Sequence, residues 1–154
     1  MNENLSIEFD NEQHYPEFIR LNELWISEYF TIEEPDCELA ANPHKIITDG
    51  GHIISLVREN QVIGVCALFR ESAQRYQLAR MAVEPSKRRQ GIGHILVETA
   101  LTRARERHAS SVFLLSNTLL QPALALYRKH GFTTLSEGSH PVYARCNIIL
   151  ERKL

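Results

Sequence analysis

The fold turns on residues 81–93, Met81-Ala82-Val83-Glu84-Pro85-Ser86-Lys87-Arg88-Arg89-Gln90-Gly91-Ile92-Gly93. Met81-Ala82-Val83 closes a strand-like run that begins near Tyr76, Glu84-Pro85-Ser86 makes a turn, and Lys87, Arg88 and Arg89 add positive charge before Gly91 and Gly93 enter a helix. The first N–H groups of a helix have no acceptor inside it and point outward, where the peptide dipoles add a partial positive charge. Glycine lets that backbone close on an anion with no Cβ in the way. A strand, a basic glycine turn and a helix in this order therefore predict a phosphate or pyrophosphate site. Two common phosphate loops are excluded. No GxxxxGK string occurs, and Gly91-Ile92-Gly93-His94-Ile95-Leu96 lacks the last small residue of a dinucleotide fingerprint. The stretch from Arg88 to Gly93 instead fits the pattern Arg or Gln, two residues, Gly, one residue, Gly or Ala.

Outward from this turn, a helix is predicted over residues 93–107, with Ile92, Ile95, Leu96, Thr99, Ala100 and Ala104 as its apolar stripe. Downstream come a short strand at 112–115, a helix at 122–130 stopped by Gly131, and strands at 132–135 and 142–150. Upstream, the apolar runs 52–58 and 62–69 flank Glu59-Asn60-Gln61, a connection short enough only for an antiparallel hairpin, and 76–83 is a third strand. Residues 6–9 form a first strand, Pro16 opens a helix to about Phe30, and residues 31–49 read as irregular with a short helix at 36–41. The order describes an α/β fold, a mixed, mostly antiparallel central sheet with helices on both faces. No linker or repeat divides residues 1–154, which read as a single domain.

Composition narrows the function. Lys plus Arg is 17 and Asp plus Glu 19, a net charge of -2, which argues against a general nucleic-acid binder; that reading would rest on Lys87-Arg88-Arg89 alone. Cys37, Cys66 and Cys146 are far apart and odd in number, as expected of reduced thiols in a cytoplasmic protein. The polar, acidic start MNENLSIEFD does not read as a targeting peptide, and no apolar run approaches the roughly 18 residues of a membrane helix. No HExxH or Cys/His cluster at ligand spacing predicts a metal.

Three blocks carry a family resemblance: LARMAVEPSKRRQGIGHILVETA at 78–100, SNTLLQPALALYRKHGF at 116–132 and RCNIILE at 145–151. With them the chain resembles the GNAT superfamily of acetyl-CoA-dependent N-acetyltransferases. The resemblance implies two parallel strands, here 76–83 and 112–115, that splay apart around acetyl-CoA. It implies that Arg88, Arg89, Gln90, Gly91, Ile92, Gly93 and His94 hold the pyrophosphate and that the main chain of Met81, Ala82 and Val83 pairs with the pantetheine arm. The Val83 amide would polarise the thioester oxygen, and Asn117 would contact the cofactor. Tyr127, which the residues alone would make a core aromatic beside Leu124, becomes the general acid for the leaving thiolate.

Relatives often carry Glu where this chain has Gln77. Glutamine takes no proton, so Gln77 would orient an amine or water, and the base would be a water chain or one of Glu33, Glu34, Asp36 and His52. The resulting expectation is acetyl transfer to a primary amine, on a small molecule or a protein, by direct attack in a ternary complex. The competing expectation is a non-catalytic acetyl-CoA sensor or interaction module. An exposed C-terminal strand edge could pair two copies as a homodimer.

Overall fold

The computed structural model describes residues 4–154; residues 1–3 of the expected 1–154 domain lie outside the described residues. The chain runs β1 (Leu5–Phe9), α1 (Tyr15–Tyr29), α2 (Glu34–Ala41), α3 (Lys45–Thr48), β2 (His52–Arg58), β3 (Gln61–Arg70), β4 (Arg75–Val83), α4 (Ile92–Glu106), β5 (Ser111–Ser116), α5 (Gln121–Lys129), β6 (Thr133–Glu137) and β7 (Ile148–Lys153). The strands form one seven-stranded sheet in the order β1-β2-β3-β4-β5-β7-β6, antiparallel except for β4 with β5.

β2 and β3 are apolar on both sides because both sides are covered. On one face Tyr15, Phe18 and Leu21 of α1 and Ile46 of α3 pack on Ile53, Val65 and Ala67. On the other, Leu96, Val97, Ala100, Leu101 and Ala104 of α4 and Leu124 of α5 pack on Ile54, Cys66 and Leu68. α4 lies close to β3 at Gly64, where a Cβ would stand 2.7 Å from the Ile92 side chain.

Three features depart from the sequence expectation. Residues 31–49 hold two helices. The short helix expected at 36–41 begins at Glu34, with Pro35 in the first turn of α2, where proline is tolerated, and Asp36 accepting the Glu33 N–H at 2.8 Å; α3 is the unexpected helix. The last strand is shorter at its start and longer at its end than 142–150. Residues 142–147 leave the sheet because Tyr143 and Arg145 turn toward charged partners near α2, and pairing begins only at Ile148 opposite Ser116. That strand, β7, lies between β5 and β6, so the sheet edge near the C-terminus is the exposed β6 and not the C-terminal strand.

Candidate active site

β4 and β5 pair in parallel only at Arg75–Ser111, Tyr76–Val112 and Gln77–Phe113. Beyond Gln77, β4 stays with β3 as far as Val83 and β5 stays with β7 as far as Ser116, so the two central strands part. A cavity of about 110 Å³ fills the opening. Gln77 to Met81 line one side, Leu114 to Asn117 the other, Asn22, Trp25 and Ile26 of α1 one end, and Ala123 and Tyr127 of α5 the opposite end.

The ladder fixes which β4 groups face this opening. Glu84 donates to the Ile63 carbonyl at 2.8 Å, across β3. Peptide groups alternate along a strand, so the N–H and C=O of Val83 and of Met81 point to the side where β5 has left. The side chains do not follow simple alternation. Arg80 has φ +57, and the β3–β4 register shifts beside it. This bulge puts Tyr76, Leu78, Met81 and Val83 on the α4 side and Ala82 on the α1 side. Gln77 therefore does not share a face with Met81 and Val83, as strict alternation would require.

At the mouth of α4, Gly91 adopts φ +79 and no side chain caps the helix. A Cβ on Gly91 would meet nothing within 4 Å, so its glycine serves the left-handed conformation and the open approach rather than packing. The first helical amides, Ile92, Gly93 and His94, have no acceptor within the helix. The side chains around them are already engaged in part. Arg88 forms a bidentate ion pair with Glu28 of α1 at 2.9 and 3.0 Å. Gln90 accepts from Arg58 at 3.0 Å, and His94 and His130 share a 2.8 Å hydrogen bond. Arg89 is exposed with φ +65.

Tyr127 packs edge-on against Phe132, with centroids 6.0 Å apart, and lines the cavity. Burial pushes its phenol well above the ordinary tyrosine value, helped by the nearby Cys66, whose own thiol burial raises to about 12. Burial likewise raises Cys146. Asn117 reaches the cavity wall, but its amide donates to the Arg145 carbonyl and accepts the Leu119 N–H, both at 2.9 Å; it fixes two loops. Asn22 donates to the Phe18 carbonyl at 2.9 Å.

The candidate bases do not gather here. His52 is buried between Asp10 at 2.8 Å and Arg107 at 3.2 Å, away from the cavity. Glu34 is exposed on α2. Glu33 accepts from the Ala144 N–H and Arg145. Asp36 is nearly fully buried between Arg80 at 2.5 Å and Arg145 at 2.7 Å. Burial alone would raise its pKa, but the Arg145 and Glu33 hydrogen bonds and the two guanidinium charges outweigh this and hold it below the usual carboxylate range. Arg80 also donates to the Tyr143 hydroxyl at 2.7 Å. The Glu33–Asp36–Arg80–Tyr143–Arg145 cluster was not visible in sequence, because its members lie in three segments with no local pattern. Phe69, Arg80 and Tyr143 separate the central cavity from a second, of about 270 Å³, between α2, α3 and the end of β3.

A parted pair of central strands beside a glycine-mouthed helix defines the acetyltransferase fold class, and comparison with known proteins agrees. Residues 18–132 match the model of the acetyltransferase (GNAT) family, and the chain belongs to that family. It is 39% identical over 72 residues to N-acetyltransferase 8 of Homo sapiens, a match covering 47% of this chain and 32% of the human protein. The chain thus spans well under half the length of the curated relatives it matches. In fold it is similar to a GNAT-family acetyltransferase from Staphylococcus aureus Mu50, with TM-score 0.85 and 19% identity over 97% of this chain and 99% of that one. It is also similar to a GNAT-family acetyltransferase from Elizabethkingia anophelis with acetyl-CoA bound, with TM-score 0.67 and 19% identity over 99% of both chains. No helix among the described residues is long and apolar enough to cross a membrane.

Proposed function

We propose that the protein is an N-acetyltransferase, with residues 1–154 as one domain, that moves the acetyl group of acetyl-CoA to a primary amine by direct attack in a ternary complex. The observation that carries this reading is the three-residue pairing of β4 with β5, followed by a cavity that Tyr127 of α5 lines. Acetyl-CoA, when bound, supplies an activated thioester. The acetyl-CoA-bound relative from Elizabethkingia supports the choice of donor.

The chain's own groups fit such a donor. The outward amides of Ile92, Gly93 and His94 receive a diphosphate, with Arg88, Arg89, Gln90 and Gly91 shaping the turn. The open peptide edge of Met81, Ala82 and Val83 offers hydrogen bonds to an extended amide chain, in the manner of an added strand. The Val83 N–H faces the opening, where a fixed donor becomes more effective as charge develops on a carbonyl oxygen. Tyr127 keeps its proton at neutral pH and holds it toward the departing sulfur. Gln77 orients the amine or a water, and Asn117 holds the loop that closes the far wall. No cysteine is placed as an acyl carrier in this scheme, since both thiols near the cavity are held protonated by burial.

The test is a screen of amine acceptors read by release of CoA thiol, run with Gly91→Glu beside the natural chain. Turnover on one acceptor, together with at least about tenfold weaker acetyl-CoA binding by the variant, is expected. Acetyl-CoA binding without turnover on any amine would replace this reading by the sensor. Unchanged affinity in Gly91→Glu would remove the diphosphate cradle.

A further inference from the structure

Resting on the acetyltransferase reading, we propose that the acceptor is an α-amino acid with an apolar side chain, its carboxylate bound by Arg80 and its α-amine turned into the gap between β4 and β5. Two independent observations lead there.

The first is what the central cavity lacks. Among the described residues that line it there is no carboxylate, histidine or lysine; its ionised groups are Arg80 and Arg145. Asp36 and Glu33 hold these guanidiniums from behind and are absent from the lining. An alkylammonium such as a polyamine would enter with no counter-charge and no group able to take its proton. An alkylamine of pKa ~10.4 is neutral in only about one molecule in 2,500 at pH 7; the amine of a free α-amino acid is less basic than that, although its own carboxylate keeps it above the ~7.8 of a chain's α-amine. Gln77, in the strand beside the opening, has the same meaning, for it accepts a hydrogen bond but no proton. The cavity suits an amine less basic than an alkylamine.

The second is where Arg80 stands. The bulge at φ +57 turns its side chain to the partition shared by the two cavities. One N–H donates to Asp36 and one to the Tyr143 hydroxyl, and the remaining donors of the guanidinium are uncommitted. A planar fork fixed at its back suits a carboxylate in front. Beyond it, the second cavity offers Pro35, Leu39, Ile46 and Phe69 to an apolar body, on a wall that also carries Glu38, Asn42, Lys45, Asp49 and Arg70. Carboxylate at the partition, body in the outer cavity and amine in the gap is the arrangement of a single α-amino acid.

The experiment compares L-phenylalanine, L-phenylalaninamide and phenethylamine as acceptors for the full chain, by kcat/KM from thiol release. It also measures calorimetric binding of L-phenylalanine to the CoA-saturated protein, which needs no turnover. The amide loses the carboxylate and carries a less basic amine, so on amine reactivity alone it would exceed the acid; phenethylamine loses the carboxylate and carries a more basic amine. We expect the acid to exceed the amide by at least about tenfold, with phenethylamine lower still. In Arg80→Gln the preference for acid over amide, a ratio that a general loss of activity would leave unchanged, falls below about threefold. Phenylalanine binding that depends on Arg80 but gives no product would uphold the carboxylate site at Arg80 and sink the assignment of phenylalanine as acceptor. Turnover on phenethylamine equal to that on the acid would sink the assignment and leave the transferase intact. Absence of both binding and turnover with all three compounds would sink the assignment and leave the transferase reading to the wider acceptor screen.

Discussion

Replacing Tyr127 by Phe isolates one hydroxyl. The ring would keep its contact with Phe132, so thermal stability should move little. The chemical effect can be bounded. A CoA-like thiol has a pKa near ~8.5, so its thiolate leaves fairly readily, and full protonation in the transition state is not required. Burial also pushes the Tyr127 phenol upward, which makes it a weaker acid but keeps it protonated throughout the ordinary assay range. What remains is a hydrogen bond to a developing anion, typically ~1.5–3 kcal/mol. At ~1.36 kcal/mol per decade this is roughly a 10- to 150-fold loss in the chemical step, at or below the low end of general acid catalysis. The assay is single-turnover acetyl transfer with acetyl-CoA prebound, which keeps product release out of the rate. Acetyl-CoA affinity should stay within about threefold. Because the phenol titrates above the working range, the loss should be the same at about pH 6 and about pH 9. A single-turnover rate within about twofold of the natural protein would refute the assignment of Tyr127.

Two further substitutions probe the frame around the site. Gly64→Ala places a methyl 2.7 Å from Ile92, at the first turn of α4, and should destabilise by about 1–3 kcal/mol in urea unfolding while weakening acetyl-CoA binding, because the helix mouth must shift. Asp36→Asn leaves Arg80 and Arg145 without their shared buried carboxylate and should cost about 3–5 kcal/mol at neutral pH by the same measurement. Since the folded-state pKa of Asp36 is depressed, its stabilisation is full above the unfolded value near ~3.9 and is lost as pH falls through the lower folded value. The difference between the two proteins should therefore narrow below about pH 4.

Much of this architecture is legible from residue order because its strands and helices are strongly patterned. The doubly buried run of β3, the stripe of α4 and the stop at Gly131 each leave a mark that periodicity or glycine placement exposes. The bulge at Arg80 leaves none. An arginine between Ala79 and Met81 looks like the polar member of an alternating strand, and only the shifted pairing with β3 reveals that the faces exchange there. The ionic cluster was hidden for a different reason: Asp36 meets Arg80 across 44 positions and Arg145 across 109, distances at which no local pattern operates. The short helix expected at 36–41 is present and starts two residues earlier, because proline is tolerated in a first turn and the Asp36 carboxylate accepts the Glu33 amide.

The bulge and the parted strands belong to one design. A strand that ended its pairing at Gln77 would ordinarily leave buried peptide groups without partners, a cost of ~1–3 kcal/mol for each group. Here the groups of Met81 and Val83 face a cavity that a strand-like ligand can fill, so the deficit becomes a site. It persists only if β5 is kept from closing back onto β4. The six-residue ladder of β5 with β7 holds it on one side, and the side chains that enter the gap from α1 and α5 hold it on the other. Arg80 adds the tie that alternation alone could not. By exchanging the faces of β4 it sends Met81 and Val83 to pack toward α4 while its own guanidinium reaches α2 and the 142–147 loop. One residue in an uncommon backbone conformation thus links the open peptide edge, the helix that carries the glycine mouth, and the wall of the outer cavity.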